Sequence, residues 1–168
     1  MVTQPQFTVY VSSTMRTPPR SLHGHEYRFV TIKSPEFFGV TQSWATKQQS
    51  VAVSDPERTL LDGLRQPQYA GGIPEVAKAF WMSRTTIKIS RLLEYAQHFR
   101  SGALRRRLGF LLELYSMASA EELNALHSNL TSTYDRLDPT LPKSGPFQAR
   151  WHLQLNIGID ELEAIRHT

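Results

Sequence analysis

The chain contains no cysteine. That excludes a disulfide framework and thiolate chemistry, and it fits a reducing cytoplasm. Long apolar runs are missing too. None approaches the ~20 residues of a membrane-spanning helix, and the polar N-terminus lacks the apolar core of a signal peptide. A cytoplasmic protein with no membrane partner is expected. Signatures of chemistry are equally scarce: there is no GxxxxGK(S/T) phosphate loop, no GxGxxG, no GxSxG elbow and no HExxH. With no persuasive catalytic constellation, neither enzyme activity nor a cofactor is expected. His23 and His25 would share a strand face. No carboxylate or third histidine lies near them in sequence, so they read as loop histidines and no metal site is expected.

What is present is an ordinary globular mix of 40% hydrophobic and 20% charged residues in 168 positions. That length suffices for one sizeable core, and a single domain over 1–168 is expected. Net charge is +4 and the pI near 9.6, mild support for an anionic partner. The charge is concentrated. Arg84, Lys88, Arg91, Arg100, Arg105, Arg106 and Arg107 face only Glu94 between positions 84 and 107, a local +6. Such a segment is either a solvated helix face or a surface for nucleic acid or an acidic protein.

Alternation of apolar residues marks strands at Phe7–Val11, Tyr27–Ile32, Phe37–Trp44 and Gln48–Val53. Ser12–His25 reads as a loop. From Asp55 the period changes to about 3.6. Helices are expected from Asp55, over Ile73–Met82, Thr86–Phe99, Ser101–Tyr115 and Ala120–Leu130, the last begun by Ser119 with Glu122 three residues on. Positions 131–148 are irregular. Trp151–Ile157 alternates as a returning strand, and Ile159–Ile165 reads as a short closing helix. The whole is an α+β pattern: a small, mostly antiparallel sheet over 1–53, about five helices over 54–130, then loop, strand and short helix over 131–168.

Val51–Val76 organises the rest. Ser54 and Glu57 have capping-box spacing, while Pro56 favours Asp55 as the cap and itself as the first helical residue. Leu60, Leu61 and Leu64 share one helix face; Arg58, Asp62 and Arg65 share the opposite one, with Arg58 and Asp62 an (i, i+4) pair. Glu57 falls on the leucine side. It either caps or lies buried against an arginine from elsewhere. Gly71-Gly72 makes a turn, or receives an anion at the following helix. In the fourth helix Leu104, Leu108, Leu111, Leu112 and Tyr115 form a narrow arc. Arg106 points directly away from it, flanked by Arg105 and Arg107. Either flanking arginine could pair with Glu57 or reach Glu113; the rival is a three-arginine anion clamp.

Pro56, Glu57, Arg58, Thr59, Leu60, Leu61 and Asp62, then Gly71 and Gly72, then Arg107, Leu108, Gly109, Phe110, Leu111, Leu112 and Glu113 follow a pattern. It resembles the C-terminal domain of the AbiEi-type antitoxins of bacterial abortive-infection systems, described as transcriptional regulators of viral defence. The resemblance spans roughly Phe7–Tyr115. It implies an antitoxin that counters a cognate nucleotidyltransferase-like toxin, in type IV systems without a stable complex, and that represses its own operon. Typical members carry an N-terminal winged helix-turn-helix that binds DNA. This chain enters its β segment at once and leaves no room for one, so sequence-specific repression by it alone is not expected. A nucleic-acid-binding module contacting DNA or RNA phosphates without sequence readout is the alternative.

Overall fold

The structure, a computed structural model, describes residues 8–167. The chain divides into two compact units, Met1–Phe38 and Gly39–Thr168.

The first unit is a three-stranded sheet of β1 (Thr8–Ser13), β2 (Arg20–Leu22) and β3 (His25–Thr31), in the order β1-β3-β2. β1 runs parallel to β3 with Val9 opposite Tyr27, and β2 antiparallel to it with Arg20 opposite Tyr27. β2 lies inside the stretch expected to be loop. Three residues are too few to show a period. The signal was the turn: His23 and Gly24 both take positive φ, as a two-residue hairpin loop requires. The expected strand start at Phe7 lies outside the described residues.

In the second unit β4 (Val40–Trp44) and β5 (Ser50–Ser54) form an antiparallel hairpin with Val40 opposite Ser54. Among the described residues six α-helices follow: α1 (Pro56–Arg65), α2 (Ile73–Ser83), α3 (Ile89–His98), α4 (Gly102–Leu114), α5 (Ala120–His127) and α6 (Ile159–Ala164). Between α5 and α6 three two-residue strands, β6 (Asp135–Arg136), β7 (Phe147–Gln148) and β8 (Leu153–Gln154), make a small sheet in the order β6-β8-β7. The fold is α+β, its strands spread over three small sheets in which antiparallel pairs outnumber parallel ones.

α1 packs on α2, α3 and α4, and α4 also meets α5 and β6. The expected leucine arc of α4 is buried throughout, as are Leu60, Leu61 and Leu64. So are Trp151, Leu153, Leu155 and Ile157. Their alternation reported burial correctly, although only Leu153–Gln154 pairs as strand. Ser119 and Glu122 close a capping box on α5.

Tyr115 ends α4 and donates its hydroxyl to the Leu162 carbonyl, 2.9 Å away, which ties α6 to the core. Burial pushes its phenol from 10.0 up to about 12. The unfolded phenol ionises near 10.0, so this contribution to stability is complete below that pH and is lost as pH rises to about 12. Tyr115→Phe should cost about 1 kcal/mol at neutral pH through the lost hydrogen bond. It should also flatten the fall in unfolding free energy across that window. Urea titrations on either side of the window measure both.

Candidate functional site

The motif residues can be followed from α1 upward. Asp55 is the cap: its Oδ1 accepts the Arg58 amide at 2.8 Å, and its Oδ2 accepts the Tyr95 hydroxyl at 2.9 Å. Pro56 takes the first helical position, and Ser54 hydrogen-bonds Thr59 instead of capping. Glu57 is buried at 3% exposure. Its Oε1 accepts the Lys88 amide just before α3 at 2.8 Å, and its Oε2 lies 3.7 Å from Arg91 Nη1. Glu57 thus has its arginine, but from α3. The expected pairing with Arg105 or Arg107 is not formed. α3 lies against α1 and brings its own N-terminal amide and Arg91 to the carboxylate first.

Arg58 also departs from expectation. It forms the pair with Asp62 at 2.8 Å, yet it is buried, its guanidinium 4.8 Å from the centre of the Phe99 ring. Phe99, just past α3, covers the face that α1's own periodicity assigns to solvent.

Gly71 and Gly72 have φ of +82° and +93°, where a side chain is strained. At α2's N-terminus the Ile73 amide donates at 2.7 Å to Asp138, a carboxylate 1% exposed. Turn and anion coincide here, and the anion is the chain's own. A Cβ on Gly72 would come within 2.9 Å of that carboxylate.

The three consecutive arginines separate. Arg106 was expected on a surface or in a clamp, and Arg107 there or against Glu57 or Glu113; both are buried, at 2% and 4% exposure. Positions 131–157 fold back over the side of α4 opposite its leucines, a cover that α4's own wheel cannot reveal. Arg106 donates to Asp135 at 2.8 Å, to Thr131 through its carbonyl and hydroxyl, and to the Thr133 hydroxyl. Arg107 donates to the Leu64 carbonyl at 2.8 Å and to the Arg136 carbonyl at 3.1 Å. Burial lowers the Arg107 pKa, opposed by the charges of Asp135 and Asp138. Gly109 faces the Trp151 ring, and Glu113 accepts the Trp151 indole N–H at 2.6 Å and Arg150 Nε at 2.9 Å. The motif is therefore a set of internal fastenings: caps, close approaches and buried bonds.

The remaining basic residues have different surroundings. Arg84 lies over the Trp81 ring at 4.1 Å, Lys88 is exposed, and Arg91 attends Glu57. Arg100 and Arg105 are different. They border an open cavity of about 600 Å³ at the head of α4, lined also by Ser101, Gly102, Arg106, Thr131 and Asp135. Neither Arg100 nor Arg105 has a carboxylate partner among the described residues.

No group of three or more His, Asp or Glu side chains among the described residues is arranged to hold a metal ion. No helix among them is long and apolar enough to cross a membrane. No family model, curated protein or solved structure matches the chain.

Proposed function

We propose that the chain is an antitoxin-type domain of a bacterial phage-defence toxin–antitoxin pair. It counters a nucleotidyltransferase-like toxin in the cytoplasm without catalytic turnover, and is linked to control of its own operon. The observation that carries this reading is the junction of the two resembling blocks. Arg107 of the second donates to the Leu64 carbonyl at the end of the helix opened by the first, 2.8 Å away. More than forty residues apart in sequence, the blocks share one buried contact. Several of the resembling residues also have defined structural work. Asp55 caps, Glu57 holds the start of α3, Gly72 leaves space for Asp138, and Gly109 leaves space for Trp151. A motif spent on internal fastening specifies a scaffold, and function lies in what that scaffold presents.

Growth rescue tests it. Cells arrested by a cognate nucleotidyltransferase-like toxin should resume growth when the chain is co-expressed. Arrest that persists while the chain accumulates folded would overturn the reading.

A further inference from the structure

Two observations converge around positions 129–152. The first is the cavity at the head of α4. The amides of Gly102 and Ala103 make no hydrogen bond among the described residues, since the side chain of the cap Ser101 serves only the Leu104 amide. These free N–H groups sit at the positive end of a 13-residue helix. Arg106 lies beside Gly102, its Nη1 only 2.6 Å from where a Cβ on that residue would be, so glycine is what lets the guanidinium approach the first turn of α4. Arg106 is buried and its Nε has no hydrogen-bond partner. Asp135 is the one carboxylate in the lining, and Arg106 already holds it. With Arg100 and Arg105 added, the cavity keeps a net positive charge with no internal anion to balance it.

The second observation is a row of rings carried by the same segment. Tyr134 lies between the cavity-lining Thr133 and Asp135. Its ring centre is 5.2 Å from that of Phe147 and 5.2 Å from that of His152, and His127 lies 6.3 Å beyond His152. His152 Nδ1 bonds the Thr131 carbonyl, which fastens the row to the cavity wall. Phe147 is 64% and Tyr134 45% exposed.

We propose that the cavity and the adjoining rings together bind single-stranded nucleic acid. A backbone phosphate sits in the cavity between Arg100, Arg105 and the Gly102 and Ala103 amides, and unpaired bases stack on Phe147 and Tyr134. Cationic groove beside exposed rings is the combination that holds single strands without reading sequence. The charge selects a polyanion; the rings select one with free aromatic faces, which a duplex does not offer. Toxin neutralisation does not depend on this site, and rescue by a variant lacking it separates the two.

Fluorescence anisotropy with labelled oligo-uridine is the test, with duplex RNA and inorganic phosphate as competitors. Binding should weaken linearly in log[salt]. The R100A/R105A variant should bind at least about tenfold more weakly, with a salt slope shallower by about 0.7, the value for one lost phosphate contact. Phe147→Ala should weaken binding by about tenfold and leave the slope unchanged. Arg84→Ala should change neither. Circular dichroism checks that the variants fold. Unchanged affinity in R100A/R105A or in Phe147→Ala would overturn the proposal. So would a duplex or inorganic phosphate that competes as well as the unlabelled strand.

Discussion

Gly109→Ala should destabilise the helical unit by about 3 kcal/mol or more, against the direction that helix propensity alone would give. In mid-helix, Ala is favoured over Gly by about 1 kcal/mol. Here the added methyl has nowhere to go: it would lie 2.5 Å from Trp151 Cε3 and closer still to Cζ3 and Cη2. Trp151 is fully buried, and its indole N–H is held by Glu113, so the ring cannot yield without breaking a buried hydrogen bond. Overpacking typically costs about 1–3 kcal/mol, and the displaced ring adds part of the roughly 3–5 kcal/mol that losing a buried Trp costs. Gly63→Ala is the control. Its Cβ would meet Val76 Cγ2 at 3.1 Å, a contact a small shift relieves, so propensity and crowding should nearly cancel. Urea midpoints give both numbers. Combining Gly109→Ala with Trp151→Ala should cost much less than the sum of the two, because the methyl then fills vacated space. Full additivity would show that the clash is not the cause.

Periodicity found what each helix does with its own face. The leucine arc of α4, the cap at Asp55 and the capping box at Ser119 all stand as the residues imply. It failed where another segment decides. Arg106 is opposite the leucines on the wheel, and would face water if α4 were covered on one side only. The covering segment has no period of its own. Its strands are two residues long, and it is held by side chains bonding backbone: Asn156 to the Asp138 amide and carbonyl, Gln148 to the Trp151 amide. Arg58 under Phe99 is the same case. The cavity arginines were among the seven basic residues singled out, but nothing local distinguishes Arg105, left without a partner, from Arg106 beside it. Nothing local in the sequence groups the rings, since Phe147 and Tyr134 meet through the β6-β8-β7 pairing.

Arg107→Met should cost about 3–5 kcal/mol, and Arg107→Lys roughly half of that. The Leu64 carbonyl belongs to the last turn of α1, where no further helical amide exists to bond it. It is buried, so water cannot replace the guanidinium. The same side chain reaches the Arg136 carbonyl through Nη2, and so fastens α1, α4 and β6 at one point. Methionine fills much of the space and supplies no donor, which leaves both carbonyls short of a partner. Lysine keeps the charge but has no planar fork, so it can serve one carbonyl and not both. Arg106→Met should be milder, because its acid partner Asp135 has a side chain 37% exposed and can be rehydrated. The order of loss expected in urea titration is therefore Arg107→Met, then Arg106→Met and Arg107→Lys. Lysine that fully restores stability would mean that charge, and not the forked bonding of two backbone ends, holds this junction together.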